Sequence, residues 1–393
     1  MTRVFGLLIF LAGTTFSWLP SSGELWGFWG HRRINRLAVF TLPPEMMGFY
    51  KQHIEYITEH AVDPDKRRYA TKHEAPRHFI DIDHWGTYPF EAVPRDWDDA
   101  LIKYTSIHLV TTSGDTTEVK ISNSPEYKTF FRSYVLPQYY EEEWRIDCDT
   151  LSNLLGRPLD CQAVYAVDHF SEYGIVPYHL LSMKRRLTRA FLARDEGAIL
   201  RLSAEIGHYI ADAHVPLHTT ENYNGQLTDQ LGIHAFWESR IPELFADEQY
   251  DYFVGPAEYV ARPRSYFWEV VLNSHQLLDS VLWIEKDLSR VFPEDQQYCY
   301  EQRLGRTIRT QCKEYAAAYQ ERMNGMVEAR MRAAIHAVGS IWFTSWVDAG
   351  QPNLNALADR PEDRTEQEQQ RIKELNQAYQ SGAIKGREHG NNR

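Results

Sequence analysis

The segment His208-Tyr209-Ile210-Ala211-Asp212 sets an imidazole and a carboxylate four positions apart. On a helix that spacing turns both side chains to one face, where their donor atoms can converge on one ion. Ile206, Tyr209, Ile210 and Ala213 read as a largely buried helix, Pro216 restricts Val215 and ends it, and His218 follows just beyond. His234-Ala235-Phe236-Trp237-Glu238 repeats the pattern 26 residues later (208 to 234), wedged among Phe236, Trp237 and Leu244. A carboxylate buried there needs a cation or a hydrogen-bond donor. One such pair is ordinary; two, with His218 between them, point to metal ligation. Upstream, Asp63-Pro64-Asp65-Lys66 and His78-Phe79-Ile80-Asp81 supply further carboxylate and imidazole, and Trp26-Gly27-Phe28-Trp29-Gly30-His31 lies earlier still. Imidazole and carboxylate suit zinc, and the absence of clustered cysteine excludes a thiolate-rich structural site. Close zinc ions acidify a water and neutralise phosphoryl charge, so a phosphodiester can be cleaved without a Ser or Cys nucleophile.

Together these segments resemble the superfamily that joins zinc-dependent phospholipase C with S1/P1-type nucleases, over Trp26 to Glu238 and weakly over the helical text beyond. The resemblance implies up to three zinc ions held by nine residues. Trp26, through a free amine and carbonyl, and His31 would hold one ion together with Asp212. Asp63, His78, His208 and Asp212 would hold the second, Asp212 bridging the two, and His218, His234 and Glu238 the third. Asp65 stands two residues from Asp63, but the 15-residue spacing to His78 (63 to 78) and Lys66 three residues later favour Asp63. Asp63, Asp212 and Lys66 are then the catalytic set, with Lys66 stabilising phosphate charge.

Phe79 and Asp81 match positions at which the nucleases stack and hydrogen-bond a base. Against that, Glu238 stands where phospholipases carry Glu and nucleases usually carry Asp, and the short gap from His218 to His234 is phospholipase-like. The expectation leans to a phospholipase C-like enzyme, with cleavage of single-stranded DNA or RNA as the alternative. A non-catalytic secreted metal-binding protein is a third reading, and no ligand position is lost to favour it. His214 has no ligand counterpart, and an N-terminal Trp26 requires cleavage after Leu25.

The elements that must position these residues read as helices. Pro43-Pro44-Glu45 starts one, with proline at the first positions and an early carboxylate. Helical apolar spacing recurs from Tyr178 to Arg194, from Phe267 to Leu288 and from Gln302 to Trp346, whereas strand-like text is limited to short stretches such as Thr117 to Ile121. The expected fold is all-α, one large helical domain over 26–358, with an insertion over about 85–168 between the ligand segments. The 130 residues from His78 to His208 imply that insertion, which would cover or narrow the cleft. The cysteines fall as Cys148/Cys161 and Cys299/Cys312, each pair 13 apart, so two local bridges are expected, although four cysteines allow three connectivities.

Of 393 residues, 43% are hydrophobic and 24% charged, which excludes collagen-like, low-complexity and mostly disordered chains. Lys+Arg total 42 against Asp+Glu 54, a formal charge of −12, so no global basic field exists to hold duplex nucleic acid. One positive charge, a short apolar run and small residues over 1–25 read as a secretory signal, implying a secreted or periplasmic protein. No apolar run approaches the roughly 20 residues of a membrane helix. Residues 359–393 read as a charged, flexible tail.

Overall fold

A computed structural model describes residues 27–303, 306–357 and 366–381; Trp26 and the expected secretory signal lie outside the described residues. At the centre, the helix Gly27–Ala38 packs against Glu196–Ala213, and the long helix Met326–Asp348 lies against both. Local sequence dictates this arrangement. Arg194, in the left-handed conformation at φ 55°, ends Val176–Ala193. Asp195 then caps Glu196–Ala213, its carboxylate accepting from the Ala198 amide. The two long helices therefore form a tight hairpin. Gly207 allows a close approach between helices, since a Cβ there would lie 2.0 Å from Asn35 Oδ1. Asn35 Nδ2 donates to the Ala204 carbonyl at 2.9 Å. That contact sets His31, one turn before Asn35, opposite His208. Behind it Trp342 is fully buried, stacks on Tyr50 with ring centroids 4.9 Å apart and donates to the Ser203 carbonyl.

Helices expected at Pro44, over Tyr178 to Arg194 and over Phe267 to Leu288 are found as Pro44–Gln52, Val176–Ala193 and the pair Pro263–His275 and Leu278–Val291. The fold is mostly helical, but two small antiparallel sheets qualify the all-α expectation. The first comprises β1 (Thr105–Val110), β2 (Thr116–Glu118), β3 (Trp144–Ile146) and β4 (Ala163–Asp168), in the order β2-β1-β4-β3 with Thr105 opposite Asp168. All four lie within the 85–168 interval, and only β2 overlaps the strand-like stretch at Thr117. Ile107, Leu109, Val164 and Ala166 are buried while their neighbours are not, the alternation of a sheet with one covered face. The second sheet is the hairpin β5 (Tyr298–Arg303) and β6 (Arg306–Gln311), which replaces the beginning of the helix expected from Gln302. Its β-branched Thr307, Ile308 and Thr310 favour extended chain. Helix resumes at Lys313–Arg322 and Met326–Asp348.

Both disulfides join the neighbouring cysteines, Cys148 to Cys161 and Cys299 to Cys312. No helix among the described residues is long and apolar enough to cross a membrane. Within the charged C-terminal segment a helix, Glu366–Ser381, packs on Asp63–Arg67. Leu375 is buried, Tyr379 meets Tyr69 edge-on at 5.2 Å and Phe28 at 6.1 Å, and Arg371 Nη1 lies 3.4 Å from Glu205 Oε1.

Candidate metal centre

Six short stretches deliver the site. His31 comes from Gly27–Ala38, Asp65 from Asp63–Arg67, His78 from the end of the turn Ala75–His78, and His218 from the turn Pro216–Thr219. His208 and Asp212 share one face of Glu196–Ala213. His234 and Glu238 lie on a helix that begins as Ile233–Ala235, widens into a π turn over Phe236–Arg240 and continues as Ile241–Gln249. Pro242 explains the widening, because it has no N–H to give the Glu238 carbonyl. The donor atoms form three groups: His31, His208 and Asp212; Asp65, His78 and His208; and His218, His234 and Glu238. Within each group they lie within 4.8 Å of one another.

The two Asp212 oxygens face in different directions. Oδ2 lies 2.9 Å from His78 Nδ1 and 3.3 Å from His208 Nε2, while Oδ1 lies 3.5 Å from His31 Nε2 and 3.9 Å from His218 Nε2. One carboxylate can therefore serve two ions. The His208 Nδ1–H donates to the Ala61 carbonyl at 2.8 Å, that of His218 to the His78 carbonyl at 2.7 Å, and that of His234 to the Tyr223 carbonyl at 3.1 Å. When such a ring gives up its other proton to bind metal, its lone pair is on Nε2, facing inward. His218 Nε2 and His234 Nε2 are 3.1 Å apart, and Glu238 Oε2 lies 3.4 Å and 2.7 Å from them. The Glu238 carboxylate is hydrogen-bonded to both rings here, and a cation among the three atoms could take the place of the protons they share. Bonds near 2.0–2.1 Å in a tetrahedral site place neighbouring ligands about 3.3 Å apart, against 2.7–3.4 Å here. Buried His/Asp/Glu groups that can hold metal are thus present, and their donor set fits zinc.

Electrostatics follow the same geometry. Burial pushes His31 down to about 4, reinforced by His208 and only partly opposed by Asp212. Burial also opposes charge on His208, but the Asp212 and Asp65 carboxylates outweigh it and hold the ring at about 9. Asp212 stays far below the usual carboxylate range, desolvation notwithstanding, because His208 and His218 flank it. Glu238 does the same against its own desolvation through hydrogen bonds from His218 and His234.

The carboxylate favoured by spacing, Asp63, does not join these groups, and Asp65 takes that place at 3.8 Å from His208 Nε2 and 4.0 Å from His78 Nδ1. Residues two apart on a helix point roughly 200° apart, so when Asp65 faces the site Asp63 faces away. Asp63 instead accepts from His60 Nδ1 at 2.7 Å and from Lys66 Nζ at 3.3 Å. Lys66 is thereby tied to Asp63. Phe79 is 7% exposed and Asp81 5%, leaving little of either side chain for a base. Between them, the Ile80 N–H donates to the His218 carbonyl at 2.9 Å, and the Asp81 N–H donates to the Tyr173 carbonyl at 2.7 Å.

Sequence reasoning missed Glu74, which is fully buried and lies 3.7 Å from His78 Nε2. Its i,i+4 spacing to His78 was an available signal. No family model matches the chain, and no curated protein matches it.

Proposed function

We propose that the protein is a secreted zinc-dependent phosphodiester hydrolase of the phospholipase C/P1 nuclease kind, acting on phospholipid. The observation that carries the reading is the convergence of five imidazoles, Asp65, Asp212 and Glu238 into three adjoining groups with Asp212 turned to two of them. Zinc held there would supply positive charge and an acidified water, as hydrolysis of a phosphodiester requires. The chain's own residues do the rest. Main-chain carbonyls fix three rings with Nε2 inward and Asp212 spans two groups, while Lys66, which pairs with Asp63, would have to leave that pair to meet a phosphate. Three zinc ions bring +6 and Asp65, Asp212 and Glu238 bring −3, a net +3 within a protein of formal charge −12. Such a centre favours an anionic phosphoryl group.

Glu238, the short step from His218 to His234 and the buried Phe79 ring all favour phospholipid over a stacked base. Cleavage of single-stranded DNA or RNA is the competing reading. Two disulfides suit a protein folded in an oxidising compartment.

Purified protein should contain up to three zinc ions by elemental analysis and hydrolyse bis-p-nitrophenyl phosphate, and His208→Ala should abolish that activity. Zinc content near zero, or full activity in His208→Ala, refutes the reading. Parallel release assays on phosphatidylcholine vesicles and on single-stranded DNA and RNA decide the substrate, with vesicle hydrolysis expected.

A further inference from the structure

His78 differs from the other inward-facing histidines. His208, His218 and His234 present Nε2 and rest Nδ1 on main-chain carbonyls. His78 presents Nδ1, 2.9 Å from Asp212 Oδ2 and 3.0 Å from His208 Nε2, and its Nε2 faces the Glu74 carboxylate at 3.7 Å. Behind this ring stands a side chain. Glu74 is itself gripped: Arg67 Nε donates to it at 2.9 Å, Arg77 Nη1 at 2.7 Å, and the Tyr209 hydroxyl through a short bond. Arg67 also donates from Nη1 to Glu205 Oε1 at 3.0 Å, and Arg371 of the helix Glu366–Ser381 donates to the same oxygen at 3.4 Å. A continuous, largely buried chain of charged groups therefore runs from the partly exposed Arg371 of the C-terminal helix through Glu205, Arg67 and Glu74 to His78.

We propose that Glu74 is the positioning residue that sets His78 to bind metal through Nδ1, and that Arg371 of the C-terminal helix completes the charge balance holding Glu74 in place. A carboxylate accepting the distal N–H of a metal-bound imidazole fixes the tautomer and ring orientation and raises the basicity of the coordinating nitrogen. Three cations, Arg67, Arg77 and Arg371, face two carboxylates, Glu74 and Glu205. Removing Arg371 leaves Glu205 drawing on Arg67 alone and weakens the hold of Arg67 on Glu74. The C-terminal helix is in this sense part of the metal centre, although none of its residues reaches a ligand.

The inference rests on the reading of these groups as metal ligands, and its test reads zinc retention, not activity. Full-length wild type, Glu74→Gln and Arg371→Ala, each loaded with zinc, are titrated with a chromogenic chelator and the equivalents released are counted. Glu74→Gln is expected to lose one equivalent at a chelator concentration roughly 10–100-fold lower than wild type, with the others held. Arg371→Ala should shift the same equivalent in the same direction by a smaller factor. Equal retention in both variants, or release of all equivalents together, overturns the proposal, the latter because a general loosening of the fold does not single out one site. Should Glu74→Gln fail to fold, Arg371→Ala, altering a partly exposed residue, decides alone. Wild type that holds zinc without cleaving phosphodiesters refutes the proposed function and leaves this inference standing; wild type that holds none refutes both.

Discussion

Asp63 and Asp65 stand two positions apart, yet one is tied to His60 and Lys66 and the other faces His78 and His208. Asp65→Asn should release one zinc equivalent and lower phosphodiesterase activity by more than the roughly 10–100-fold that a supporting residue costs. Asp63→Asn should keep the zinc count and reduce activity less, by freeing Lys66. Elemental analysis with bis-p-nitrophenyl phosphate kinetics on both variants checks this, and the opposite order would return Asp63 to the ligand set. Sequence could place a carboxylate in this stretch but not choose between the two. The choice depends on the direction in which Asp63–Arg67 leaves the preceding turn, which is set by packing against Glu196–Ala213 and the C-terminal helix. His208 with Asp212 and His234 with Glu238 were legible because each pair sits four apart on helical text, so chain distance stands for spatial distance, and His218 was noticed only through lying between them.

At the scale of elements, Gly207 decides how near the His31 helix comes to the His208 helix. Gly207→Ala gains about 1 kcal/mol of helix propensity but must displace the Asn35 side chain, which lies 2.0 Å from the new Cβ and is anchored on the Ala204 carbonyl. Overpacking costs roughly 1–3 kcal/mol, so the clash wins and the thermal midpoint should fall. A midpoint equal to or above that of wild type would show that the two helices part without cost. The long helices were readable because their apolar residues recur over many turns. The strands β1 to β4 are three to six residues long, too short for periodicity to separate them from loop. The hairpin β5–β6 was absorbed into a helix because its apolar spacing merges with that of Lys313–Arg322, and only the Cys299 to Cys312 bridge marks the break. The C-terminal helix was hidden by composition: among its described residues it is attached by the buried Leu375, the Tyr379 ring and the ion pair from Arg371 to Glu205.

For the whole molecule, buried imidazoles make stability depend on pH with opposing signs. Burial, reinforced by Arg77, holds His179 far below 6.5, and Glu74 only partly offsets it while Arg67 and Arg186 add to it. The ring stays neutral in the fold and charges in the unfolded chain, so its contribution is lost as pH falls below 6.5. His208, held up at about 9 in the metal-free protein, acts in reverse: its contribution is full below 6.5 and is lost as pH rises through 9. Metal-free protein should therefore be most stable near neutral pH. His179→Gln should flatten the fall in thermal midpoint between pH 7 and pH 5, and an unchanged slope there counts against the neutral-His179 account.

The candidate ligands are scattered along the chain, His31 lying 181 residues from Asp212 (31 to 212) although their side chains are 3.5 Å apart. An ion bound by both closes that loop as a removable cross-link. By mass action, free zinc at 1,000 times its dissociation constant adds about 4 kcal/mol to the folded state, and a chelator withdraws it. The same chain is then a different material in metal-rich and metal-poor surroundings. On the proposed function, its resistance to heat and proteases would become a readout of the zinc around it.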